Sequence, residues 1–84
     1  MIASNFLKLN NSTTIDFKKK DDHFEDIFIN FFDNNENIIF AKKGFIKSEV
    51  NKFLFQLKDG FKLSINNKNE IEKLEFKNYS LKIN

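Results

Sequence analysis

The stretch FLFQLKDGFKLSI at residues 53–65 constrains the fold more than any other part of this chain. Phe53, Phe55 and Leu57 share one face of an extended arm, and Phe61, Leu63 and Ile65 share one face of a second. A three-residue loop, Lys58-Asp59-Gly60, pairs Leu57 with Phe61, Phe55 with Leu63 and Phe53 with Ile65. That register aligns all six side chains, whereas a two-residue Asp59-Gly60 loop puts the two sets on opposite faces. The pattern therefore predicts a hairpin with a type I turn and Gly60 left-handed in a bulge. The surface it builds is apolar and carries no catalytic group.

The 84 residues are expected to form one domain, residues 1–84. A chain this short buries only about 60–65% of its unfolded surface, so its core must be rich. Twelve Phe supply that richness; each ring covers much area for little rotamer entropy. Pro is absent and Gly occurs only at 44 and 60, so Asn and Asp must make the turns, since both tolerate left-handed backbone. Asn-Asn pairs fall between apolar runs at 10–11, 34–35 and 66–67. A net charge of +2 is too balanced for a dedicated nucleic-acid binder. The absence of Cys excludes a disulfide scaffold and thiolate chemistry. No segment approaches the roughly 18 apolar residues of a membrane-spanning helix.

Further strands are expected at residues 4–9, 13–17, 27–32, 38–47, 71–77 and 79–83. The strand at 38–47 should bend near Gly44. The apolar face changes parity between Phe76 and Tyr79, which predicts a kink near Asn78. This spacing of short strands indicates an all-β fold, a two-sheet antiparallel sandwich or open β-jelly roll. A helical reading competes at 17–31 and 45–57, where Phe17, Phe24, Phe28 and Phe31, and Phe45, Val50, Phe53, Leu54 and Leu57, also recur at helical spacing. Enrichment in β-formers favours strands.

Little here resembles a catalytic or metal site. Residues 21–26, Asp-Asp-His-Phe-Glu-Asp, hold the only metal-like cluster, but neighbours in a strand point to opposite faces. A solvated acidic turn offsetting Lys18, Lys19 and Lys20 is the stronger reading. His23, the sole histidine, has no Ser on a sharp turn to activate. No glycine-rich phosphate loop exists, and no cofactor is expected. Lys42, Lys43 and Lys47 interleave with Phe45 as in cold-shock strands, though without the repeated Gly-Phe of that family. The phenyl-rich face is either closed core or a groove for an acyl chain; both need the same side chains.

Three segments in order carry a resemblance: Ala41-Lys42-Lys43-Gly44, Phe55-Gln56-Leu57-Lys58-Asp59-Gly60 and Phe76-Lys77-Asn78-Tyr79-Ser80-Leu81. Together, over roughly residues 13–83, the chain resembles the periplasmic domain of the LptF/LptG (YjgP/YjgQ) lipopolysaccharide export permeases. The resemblance implies a non-enzymatic periplasmic domain of an inner-membrane protein. It would shield lipopolysaccharide acyl chains and dock by its strand edges to the β-jelly rolls of LptC and LptA-like partners. A partner permease subunit and a cytoplasmic ATPase would act through membrane helices outside these residues. The expected lipid-binding residues are Phe53, Phe55, Leu63, Ile65 and Phe76, with Lys42 and Lys62 as rim candidates for lipid phosphates. An exposed edge strand also allows self-association. The alternatives are a barrel-type single-stranded nucleic-acid binder and a closed-core protein-interaction domain.

Overall fold

The computed structural model describes residues 3–83 as six antiparallel strands in sequence order. These are β1 (Ala3–Asn10), β2 (Thr13–Lys20), β3 (His23–Asp33), β4 (Asn35–Glu49), β5 (Lys52–Ile65) and β6 (Ile71–Ile83). The all-β class is as the sequence predicts, and no helix occurs among the described residues. The strands form one open sheet rather than two, with β1 and β6 as its edges. Asn and Asp do make the turns. Asp21, Asn34, Asn51 and Asn69 hold left-handed backbone between strands, at φ 54°, 64°, 64° and 61°. Asn66 Oδ1 accepts hydrogen bonds from the Lys68 and Glu70 amides (2.9 and 3.0 Å) and so closes the β5–β6 turn.

The predicted hairpin at 53–65 is absent. Those residues lie in the single continuous strand β5, paired along its length with β4 and β6. No glycine among the described residues has positive φ; the left-handed residue is Asp59, at 56°. The parity change that reads as a turn in sequence is instead a change of face. Leu57 and Gly60 both point to the core side, with Lys58 and Asp59 between them taking up the extra residue. Phe53 and Phe55 therefore lie on the core face. Phe61, Leu63 and Ile65 lie on the outer face, beside Phe40, Ile38 and Glu36 of β4.

The same step runs across four strands. Core-facing positions jump by three residues at Phe24/Ile27, Ala41/Gly44, Leu57/Gly60 and Phe76/Tyr79, and these positions are mutual partners across the ladders. The residues on the step are Asp26, Lys42, Asp59 and Lys77, and each ladder skips its pair there. Asp26, at φ 48°, repeats the left-handed conformation of Asp59 and marks the bulge against β2. Lys18 Nζ lies 3.1 Å from Asp26 Oδ2, so the line alternates Lys18, Asp26, Lys42, Asp59, Lys77 in charge. The sheet thus carries one transverse crease. The kink expected near Asn78 and the bend near Gly44 are its traces on β6 and β4.

Creasing lets one sheet enclose a core that a flat sheet leaves open. Ile15, Ile27, Ile29, Ile39 and Ala41 join Phe55, Leu57 and Ile83 in one buried cluster. The C-terminal end of β6, at Leu81, Lys82 and Ile83, comes beside the β1–β2 turn and the end of β3, with Phe31 and Phe32. Phe17 and Phe24 meet edge-on at 4.9 Å, and Phe76 and Tyr79 meet at 5.1 Å. The two polar groups buried here are accommodated: Asn37 donates to the Asn35 carbonyl and accepts from the Ser64 hydroxyl (3.1 and 2.9 Å), and no described buried side-chain atom lacks a partner.

Candidate functional site

The five residues expected to hold lipid are not gathered into one groove. Phe55 is 1% exposed and belongs to the closed core. Phe53 and Phe76 are half-buried and pack against that core, while Leu63 and Ile65 sit on the opposite face. The cause is the crease, which separates the two apolar arms that a hairpin would superpose.

The outer face carries the apolar surface that is open to solvent. Phe28, Phe40 and Phe61 are direct cross-strand partners on β3, β4 and β5. Their ring centroids are 4.8 and 5.7 Å apart, forming a continuous ladder of rings. Ile38, Leu63 and Ile65 extend this strip toward the end of the sheet, and Ile71 continues it onto β6. Phe28 is 48% exposed and Ile71 63%. Lys73 Nζ stands 4.9 Å from the Phe61 ring centroid, a cation over a ring face. At the crease the strip opens into a groove of about 520 Å³ lined by Phe40, Phe61, Phe76, Lys42, Glu75 and Lys77. Lys42 lines this groove, which is not the one expected from the hairpin. Lys62 does not: it is on the core face, with its ammonium 6.0 Å from the Tyr79 ring centroid. Sequence reading missed the ladder because Phe28, Phe40 and Phe61 lie far apart in the chain; only the register of three strands aligns them.

Below the crease the outer face is basic. Lys43 and Lys58 are direct partners, and Phe45, 49% exposed, lies beside them. Asp22, His23, Lys43, Phe45 and Lys58 line a depression of about 180 Å³.

The acidic cluster at 21–26 is dispersed. Asp21 and Asp22 form the β2–β3 turn, Asp26 pairs with Lys18, and Glu25 pairs with His23. No group of His, Asp and Glu among the described residues could hold a metal ion. His23 Nε2 is 2.9 Å from Glu25 Oε2, and its Nδ1 is 3.4 Å from Asp22 Oδ1. Chiefly through the Glu25 hydrogen bond, then Asp22, the imidazole titrates above its ordinary 6.5. Glu25 is held below its ordinary 4.5, chiefly by the same bond. The His23 contribution to stability is complete below pH 6.5 and fades as pH rises through the raised folded value; the Glu25 contribution is complete above pH 4.5 and fades on acidification through the lowered one. The pair therefore stabilises the fold most between those two ordinary values. An NMR titration should find the His23 midpoint above 6.5, and Glu25→Gln should lower it. A midpoint unmoved by Glu25→Gln would show that the bond does not form in solution.

No helix of the described residues is long and apolar enough to cross a membrane. No protein-family model matches the chain, and no curated protein matches it significantly.

Proposed function

We propose that this is a non-catalytic β-domain that shields lipid acyl chains on its outer face. The observation that carries this reading is the Phe28–Phe40–Phe61 ring ladder, extended by Ile38, Leu63 and Ile65, in which Phe28 is 48% exposed and the other five are partly exposed. A contiguous apolar strip on a small soluble surface marks a binding site, since water-exposed area of this kind is costly. Covering the ring area still exposed, largest on Phe28, contributes about 25 cal/mol per Å² removed from water, and the acyl chain's own burial adds to it. The two unpaired edges, β1 and β6, suit docking to further β-domains by strand addition.

The narrower form of the proposal follows the resemblance to the LptF/LptG permeases. The chain would be a periplasmic domain of an inner-membrane exporter, lipopolysaccharide its ligand, and LptC and LptA-like sheets its edge partners. Of the five lipid-binding residues expected from sequence, Leu63 and Ile65 lie on this strip and Phe76 lines the groove at its crease end, whereas Phe53 and Phe55 lie on the core side. A photo-crosslinking residue placed at Phe40 or Phe61 is expected to label lipopolysaccharide, and one at Phe55 is not. Labelling at Phe55 with none at Phe61 would overturn the assignment.

The basic half supports a second reading, a single-stranded nucleic-acid binder, because Phe45 is exposed beside Lys43 and Lys58. It is weakened by the single ring, where stacking proteins present several in succession.

A further inference from the structure

The basic half of the outer face contains an arrangement that is unfavourable in the free protein. Lys43 and Lys58 occupy directly opposed positions on β4 and β5, where like charges repel. Neither has an ion pair with a carboxylate. The nearest acid by register is Glu25, partner of Lys43 on β3, and its carboxylate is engaged by His23. Two rows further down, Lys47 and Lys82 flank Leu54 on the same face. Lys47 has one partner there, Glu49 at 3.6 Å, which Lys52 shares at 3.3 Å. Exposed Phe45 stands between the two rows of lysines.

We propose that this half of the sheet docks on an anionic bilayer surface, with lipid phosphates between Lys43 and Lys58 and the Phe45 ring at the headgroup boundary. Charge complementarity carries the inference: Asp22 and Glu25 lie nearby but are turned to His23, so the opposed ammonium groups, ion-paired with neither, are stabilised by a shared phosphate, and basic residues near a surface of acidic lipid are attracted to it. Phe45 adds an exposed apolar ring that can bury at the headgroup boundary, as the apolar faces of interfacial segments do. A bilayer fits better than a nucleic-acid strand, because the overall charge is only +2 and the surface above the crease is apolar rather than basic. This site lies across the crease from the ring ladder and does not depend on acyl-chain binding there.

The test is sedimentation of the whole chain with vesicles of phosphatidylcholine, alone or mixed with phosphatidylglycerol. Binding is expected only with phosphatidylglycerol present, and it should fall away at about 0.5 M salt. Lys43→Glu with Lys58→Glu should weaken it by about tenfold or more. The control Lys8→Glu with Lys68→Glu changes charge equally but lies elsewhere, and should retain most of it. Circular dichroism of both variants checks that the sheet persists; Lys58→Gln, milder, serves if the double variant unfolds. Equal binding to both vesicle types, or full binding by a folded Lys43/Lys58 variant, would overturn the proposal. So would tighter binding of a single-stranded oligonucleotide than of vesicles through the same two lysines. Loss of crosslinking at Phe61 with vesicle binding intact would instead count against the acyl-chain reading alone.

Discussion

Gly60→Ala is expected to destabilise the protein by about 3 kcal/mol or more, a large fraction of what holds a domain of this size. Gly60 lies on the core side of the crease, directly opposite Ala41 of β4. A Cβ there would fall on the Phe40 carbonyl oxygen and stand 2.8 Å from Ala41 Cα. Both obstacles are backbone, so relief requires the two strands to separate at the bend. The reason for glycine here is space, not a left-handed conformation, since φ at Gly60 is not positive. A Cβ at Gly44, across the crease, would stand 2.6 Å from the Gln56 carbonyl oxygen, but its other neighbours would be the tips of Ile27 and Leu57 at 3.1 Å. Gly44→Ala should therefore cost less than Gly60→Ala. Urea denaturation of the two variants gives the order; a Gly60→Ala protein as stable as the parent would mean the strands are not in contact there.

Phe55→Ala is expected to cost about 3–5 kcal/mol, the range for emptying a ring-sized site in a packed interior. Phe55 is among the largest side chains fully buried and contacts the cluster around Ile39 and Leu57. A domain of this size has only about 4–13 kcal/mol in total, so the loss is a large fraction of it. Phe28→Ala removes the same side chain from a half-exposed place on the other face, and should cost about 1 kcal/mol or less. The contrast separates the two phenyl populations. Phe55 holds the fold, while Phe28 is available to a ligand. Thermal melts of the two variants measure it; similar losses would place both rings in one core.

The strand content, the role of Asn and Asp in the turns and the bends at Gly44 and Asn78 are all legible in the sequence, because period-two patterning and turn chemistry are local. The face change at 58–59 has the same local signature as a hairpin loop: apolar positions on either side, a parity shift, and Asp-Gly between them. What decides between turning back and continuing is whether partners exist for residues 53–57 and 61–65 elsewhere. They do, in the two halves of β4 and of β6, and β4 makes the same step at Lys42-Lys43. That is long-range information. The expected site failed for the same reason. Grouping Phe53 and Phe55 with Leu63 and Ile65 presumes the hairpin, and the crease sends the two pairs to opposite faces. The ladder of Phe28, Phe40 and Phe61 depends on the register of three strands and has no local trace.

The most direct test of this account is the set of cross-strand backbone contacts made by β5, read as nuclear Overhauser effects on the unmodified protein. Antiparallel partners stand about 4.5–5.5 Å apart, close enough for such contacts. A continuous, creased β5 predicts Leu63 against Ile38 and Lys73, and Phe55 against Ile46 and Leu81. Contacts joining Phe55 to Leu63 would mean that residues 53–65 fold back on themselves, and would contradict both the crease and the outer-face site built on it.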